Sequence, residues 1–154
     1  TTQPPSATIV HANGSIPVDG KVTGTYTATF ADDGSYHQIQ EKVSGGSPST
    51  RFSFLEHKWT FSVPAGATKS FHIEGHHTVS PDGDHFVFAY STDNVNFTDL
   101  LTVTKTADDP NYQQASLPAG VTGTVYIRVR DTVRTPGTTV KDTVRVDDMY
   151  IRVE

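Results

Sequence analysis

The strongest constraint on this chain is a two-residue alternation that changes phase once near its C-terminal end. Residues 123–131 read GTVYIRVRD and residues 142–153 read DTVRVDDMYIRV. β-Branched and aromatic residues alternating with polar ones mark strands with one buried face. In the first segment Val125, Ile127 and Val129 share one face, and Tyr126, Arg128 and Arg130 share the other. In the second, Val144 and Val146 fall on one parity while Met149, Ile151 and Val153 fall on the opposite one. A strand that keeps its apolar set inward changes parity only by inserting one residue, a β-bulge. The insertion falls at Asp147-Asp148, and two adjacent carboxylates there are poor material for plain packing.

The rest of the chain follows the same pattern. Segments 7–12, 22–30, 36–43, 51–63, 68–79, 85–91, 97–104 and 112–117 read as further strands. Turn chemistry separates them, as at Asp32-Asp33-Gly34, Ser80–Asp84 and Ala107–Asn111. No stretch of ten residues shows a 3.6 period, so the fold class expected is all-β, with about ten strands spaced as in a sandwich or barrel. Phe52 and Phe54 fall on one parity and Trp59, Phe61 and Val63 on the other, which asks for a bend around 55–58. The expected core is Phe52, Phe54, Trp59, Phe61, Phe71, Ile73, Phe86, Phe88, Val125, Ile127 and Val129.

Composition removes several functions. With 154 residues the chain fits one domain: a linker over 1–6, which is polar and proline-bearing, and a module over 7–154. There is no cysteine, hence no disulfide, thiolate metal site or cysteine nucleophile. Net charge is −5 with the two signs interspersed and no basic stripe, so no nucleic-acid partner is expected. No apolar run approaches the roughly 18 residues of a membrane span, so no membrane partner is expected either.

Four groups of residues could carry chemistry. Asp32-Asp33-Gly34, Asp82-Gly83-Asp84 and Asp147-Asp148 offer the oxygen donors that calcium prefers. Asp-Gly pairs are also ordinary turn formers, and a solvated turn is the favoured reading for Asp82 and Asp84. His72, Glu74 and His76 alternate on one strand face, which could hold a transition metal or be a polar outer face. Glu56 and Glu74 are the one plausible carboxylate pair for glycoside hydrolysis. There is no Gly-x-Ser-x-Gly elbow, and the chain is not expected to be an enzyme. Sugars are gripped by aromatic faces and by polar groups reaching their hydroxyls. Tyr126, Arg128 and Arg130, with Arg134 in the following loop, could do this, and Tyr36, Tyr112 and Tyr150 are further aromatic options. Arginine there would favour an acidic sugar, through bidentate pairing with its carboxylate. A solvated strand face with cross-strand ion pairs is the plain alternative.

The segment 86–153 resembles a known class. FVFAYSTDNVNFTDL resembles the strand–turn–strand hairpin of galactose-binding-like jelly rolls, and VYIRVRD followed by TVRVDDMYIRV resembles their last two strands. Carbohydrate-binding modules of secreted bacterial proteins share this pattern. The resemblance implies an antiparallel β-sandwich of jelly-roll type with a structural calcium. Asp147 or Asp148 would be the late ligand, and Asp32 and Asp33, with Gln40 or Glu41, the early ones. The ligand set expected is thus Asp32, Asp33, Glu41, Asp147 and Asp148. It also implies a non-catalytic module of a secreted, extracellular hydrolase, whose partners are a polysaccharide or glycan and the adjacent domains of a larger exported chain. Two alternatives stand beside it: a structural or interaction domain of a secreted peptidase or adhesin, and a small metal-dependent enzyme using the His72/Glu74/His76 face.

Overall fold

The computed structural model describes residues 6–154, so all of the expected linker except Ser6 lies outside the described residues. In chain order the strands are β1 (Thr8–Val10), β2 (Gly14–Asp19), β3 (Lys21–Thr23), β4 (His37–Gln40), β5 (Lys42–Val43), β6 (Ser53–Phe54) and β7 (Glu56–Val63). They continue as β8 (Lys69–His77), β9 (Phe86–Ser91), β10 (Thr98–Val103), β11 (Gln113–Leu117), β12 (Gly123–Asp131) and β13 (Thr143–Val153). The one helical element is a single 3-10 turn, Tyr26–Thr29, so no helix is long and apolar enough to cross a membrane among the described residues.

Two large antiparallel sheets result, as the alternation requires, with β5 and β6 forming a separate two-stranded sheet. The larger runs β11-β8-β13-β4-β3, with β1 also paired to β13; the smaller runs β10-β9-β12-β7-β2. Successive strands cross between the two large sheets after β1, β2, β7, β8, β10, β11 and β12, which is jelly-roll wiring. The two long C-terminal strands do not pair with each other. β12 sits inside the smaller sheet between β9 and β7, and β13 sits inside the larger one between β8 and β4.

The core lies between the sheets. Phe71, Ile73, Met149 and Ile151 face Trp59, Phe61, Phe86, Phe88, Val125, Ile127 and Val129, all of them buried. Trp59 stacks on Phe88 at 6.0 Å and Phe71 on Phe88 at 6.1 Å. Each such side chain contributes roughly 1.5–3 kcal/mol by leaving water.

Three expectations need correction. Phe52 and Phe54 are half-buried and lie outside the core. The inward positions are Ser53, Leu55, His57, Trp59, Phe61 and Val63, all of one parity, so the chain breaks at Leu55 between β6 and β7 without changing face; polar Ser53 and His57 concealed the register. Phe54 instead receives the Lys42 ammonium at 5.1 Å and the Arg134 guanidinium at 5.4 Å. Residues 22–30 are not one strand. Gly24 takes φ +83°, and a Cβ there would meet the Tyr36 carbonyl oxygen at 2.8 Å, so the chain leaves the sheet after Thr23. The segment 36–43 is likewise broken at Glu41, between β4 and β5.

Two histidines sit among these apolar side chains. Trp59 Nε1 donates to His37 Nδ1 at 3.0 Å across the sheets, while both His57 ring nitrogens are buried without a partner. Burial lowers the His37 pKa from 6.5 to about 4, and burial followed by repulsion from His37 lowers that of His57 to about 3. Below pH 6.5 the unfolded chain therefore binds protons that the folded chain refuses. Stability present above that pH is lost as the pH falls toward the folded values. His57→Leu should flatten the fall in melting temperature between pH 6.5 and 4; an unchanged slope in thermal melts would contradict this origin.

Candidate functional site

The phase change in β13 is a bulge. Val146 pairs with Gly75 and Asp148 with Glu74, leaving Asp147 as the extra residue. Because the apolar set stays inward on both sides, Asp147 and Asp148 both lie on the outer face of the larger sheet, opposite Glu74. Neither is solvated: exposure is 0 % for Glu74 and Asp147 and 7 % for Asp148.

Two segments fold over these acids. The loop after the 3-10 turn lays its backbone on Asp147, whose Oδ1 accepts the N–H groups of Asp33 and Gly34 at 3.1 Å each. Gly34 supplies the left-handed turn this needs, at φ +78°. The turn before β11 reaches in from the other side. The Tyr36 hydroxyl donates to Asp108 Oδ2, and the Tyr112 hydroxyl donates to Asp148 Oδ2, both at 2.6 Å. Carboxylate oxygens of Asp32, Glu74, Asp108 and Asp147 thereby lie within 4.8 Å of one another.

That arrangement is electrostatically unbalanced. Among the described residues no lysine or arginine forms an ion pair with any of the four acids. Both Glu74 oxygens and Asp148 Oδ1 are buried without a partner. Burial, then the facing Asp108, pushes the Glu74 carboxyl up to about 8, and burial also raises Asp147. Buried carboxylates persist when paired or when they coordinate a metal. An all-oxygen donor set with orphaned oxygens fits a hard divalent cation and not a soft one, so these groups could hold a metal ion.

The expected ligands divide. Asp32 and Asp147 meet here, joined by Glu74 and Asp108, which the sequence placed on a histidine face and in a plain turn. Asp33 contributes its backbone, and its side chain accepts the Ser35 N–H at 3.0 Å. Asp148 is held by Tyr112 beside the group. Glu41 is elsewhere, with Asp84 and Asp142. Asp84 is 0 % exposed, so the solvated-turn reading of it is corrected. Of the histidine face, His72 stacks on Tyr150 at 4.8 Å and bonds Ser70 Oγ at 2.7 Å, and His76 packs edge-on to Tyr36. Neither histidine joins either acidic group.

The outer face of the smaller sheet is built differently. Tyr126, Arg128 and Arg130 alternate along β12, opposite Thr60, Lys58 and Glu56 of β7 and Ser91, Ala89 and Val87 of β9. The small side chains of β9 leave a groove of ≈ 380 Å³, lined by Val87, Asp99, Arg128, Arg130, Asp131 and Thr132. The Arg128 guanidinium lies 4.2 Å from the Phe97 ring centre, and its Nε is buried without a partner. The Lys58 ammonium approaches the same ring at 5.5 Å and donates to Asn94 Oδ1 at 2.9 Å. Arg130 pairs with Glu56. Arg134 turns back to Asp131 Oδ1 at 2.9 Å and the Leu55 carbonyl at 3.1 Å, so it braces the end of β12. Phe97, Lys58 and Asp99 were not singled out in the sequence: the β9–β10 hairpin brings Phe97 and Asp99 to β12, and the β7–β12 pairing brings Lys58.

No family model matches the chain, and no curated protein matches it. Solved structures similar to it are carbohydrate-binding modules. A family 61 module in complex with β-1,4-galactotriose is 15 % identical, with a TM-score of 0.48, over 96 % of this chain and 88 % of that one. A family 29 module is 11 % identical, with a TM-score of 0.49, over 96 % and 89 %. A variant family 29 module complexed with mannohexaose is 10 % identical, with a TM-score of 0.46, over 96 % and 91 %. These values assign this chain no ligand and no binding residue.

Asp147→Ala removes the acceptor for two backbone N–H groups. It should cost about 1–3 kcal/mol in a denaturant titration and speed hydrogen exchange at the Gly34 amide; unaltered exchange there would contradict the anchoring.

Proposed function

We propose that this chain is a non-catalytic carbohydrate-binding module of a secreted bacterial hydrolase. Residues 7–154 form the module and residues 1–6 the link to adjacent domains. It binds polysaccharide on the outer face of the smaller sheet, and a structural calcium sits beneath the loops of the larger one. The observation that supports the binding face most is Arg128, whose Nε is buried without a partner beside an open groove. A sugar hydroxyl or carboxylate oxygen reaching that nitrogen would satisfy it, and a polar group left bare is costly. Tyr126 is aligned with Arg128 on the same face, and aromatic side chains receive the C–H faces of pyranose rings. Arg128 and Lys58 carry unpaired positive charge there, which suits a uronic-acid polysaccharide. A second depression of ≈ 390 Å³ on the larger sheet, lined by Thr68, Lys69, Ser70, Gln114, Ala115, Ser116 and Arg152, has no aromatic wall and suits the role less.

The calcium reading uses Asp32, Glu74, Asp108 and Asp147 as carboxylate donors. Such an ion would supply positive charge to a buried acidic group and tie two loops to the bulge. Binding at a single shallow face is weak, and tethering to a hydrolase or to further modules would raise it by avidity.

Affinity electrophoresis in neutral and uronic-acid polysaccharides tests the binding face. Retardation should occur in the acidic gels, and Arg128→Ala should weaken it at least tenfold without moving the melting temperature. Retardation that survives Arg128→Ala and Tyr126→Ala together would place the site elsewhere. Silence across plant, algal and animal polysaccharides would favour a structural domain of a secreted peptidase or adhesin.

A further inference from the structure

A second group of acids lies apart from the bulge. Glu41, Asp84 and Asp142 present carboxylate oxygens within 4.8 Å of one another. Their exposures are 2 %, 0 % and 1 %. Glu41 sits at the break between β4 and β5, Asp84 two residues before β9, and Asp142 directly before β13. The topology therefore gathers three chain segments at one end of the sandwich.

Each carboxylate is held by the protein while other oxygens stay bare. The Glu41 N–H donates to the Asp142 carbonyl, and the Asp142 N–H donates to Glu41 Oε1, both at 2.9 Å. Asp84 Oδ1 accepts the N–H of Thr132 at 2.8 Å, its hydroxyl at 3.0 Å and the N–H of Val133 at 2.8 Å. Asp142 Oδ2 accepts the Ser80 hydroxyl at 2.8 Å, and Oδ1 that of Thr78 at 3.4 Å. Glu41 Oε2 and Asp84 Oδ2 have no partner and are buried. Asp131, close enough to act electrostatically on Glu41, repeats the pattern. Its Oδ1 accepts the Leu55 N–H at 3.0 Å and the Arg134 guanidinium, and its Oδ2 is buried and unpartnered. Among the described residues Arg134 is the one cation paired with any of these acids.

A core that needed only solubility or a turn would not aim bare carboxylate oxygens at one another. Removing them from water costs several kcal/mol per charge unless a countercharge replaces the solvent. A shared proton is the competing solution. It would satisfy Glu41 Oε2 and Asp84 Oδ2 together, but it would leave Asp131 Oδ2 bare and supply no countercharge to the remaining carboxylates. Burial and the facing Asp84 hold the Glu41 carboxyl up to about 9, as expected of a cluster lacking its countercharge.

We infer that Glu41, Asp84 and Asp142 form a second, fully buried site for a hard divalent cation of calcium size, independent of the group at the bulge. The donors are all oxygen, which excludes a preference for thiolate- or imidazole-seeking metals. The ion would lock the β4–β5 break, the loop before β9 and the start of β13 to one another.

Calcium content of the full chain, measured by elemental analysis after gel filtration from calcium buffer, tests this. Two ions per chain are expected in the unmodified protein, one in Glu41→Gln, one in Asp147→Asn and none in the double variant. If the bulge group alone fails to bind, the counts become one, none, one and none, which separates the two sites. Asp84→Asn is the second variant should Glu41→Gln not fold, and it too should lose one ion. The melting temperature of Glu41→Gln should fall relative to the unmodified protein in calcium, and should equal or exceed it in chelator. A calcium content that Glu41→Gln and Asp84→Asn leave unchanged, or an unmodified protein without calcium, would overturn the inference. So would a Glu41→Gln melting temperature that equals or exceeds the unmodified protein's in calcium and chelator alike, the signature of a shared proton.

Discussion

One inserted residue in the middle of the larger sheet governs the outer surface of that sheet. β13 is flanked by β8, β4 and β1, so it cannot shift its register without disturbing three ladders. Its apolar residues must remain inward on both sides of Asp147, and the extra residue is therefore forced outward with its neighbour. A pair of carboxylates then stands against Glu74 on a sheet face that loops cover. The covering loops are held by the acids themselves: backbone N–H groups of Asp33 and Gly34 end on Asp147, and tyrosine hydroxyls end on Asp108 and Asp148. The bulge, the loops and the charge form one interdependent unit.

The two faces of the sandwich have taken on different work. The larger sheet spends its outer surface on buried acids, stacked His72–Tyr150 and two covering loops. The smaller sheet keeps a grooved outer surface on which cationic and aromatic side chains stand beside the small residues of β9. The interior between them tolerates polar groups only where geometry satisfies them, as in the Trp59–His37 hydrogen bond, with His57 as the unsatisfied exception.

Much of the fold was legible because it depends on local alternation. The parity change in β13 located the bulge to the Asp147-Asp148 pair, and the alternation of β12 separated core from outer face correctly. The alternation misled where polar residues occupied inward positions, as Ser53 does in β6 and His57 in β7. It also misled where one glycine ended a strand, as Gly24 does before the 3-10 turn. The acidic groups were legible only in part. Asp32 and Asp147 are brought together by the fold, but Glu74 reads as one polar residue among histidines and Asp108 as turn chemistry. Glu41 and Asp142 interlock through backbone contacts across 101 residues of chain, and no local pattern announces such a pairing. Asp84 shows the same limit: its Asp-Gly-Asp context is that of a solvated turn, while its burial comes from the loop after β12 closing over it.

The unit built on the bulge depends most directly on whether its acids share a cation. A high-resolution crystal structure grown in calcium, with anomalous scattering recorded, addresses that point. The prediction is a calcium peak with Asp147 and Glu74 oxygens at about 2.3–2.6 Å, the usual range for this ion. A peak-free map in which Glu74 and Asp108 sit at hydrogen-bonding distance, sharing a proton, would contradict it.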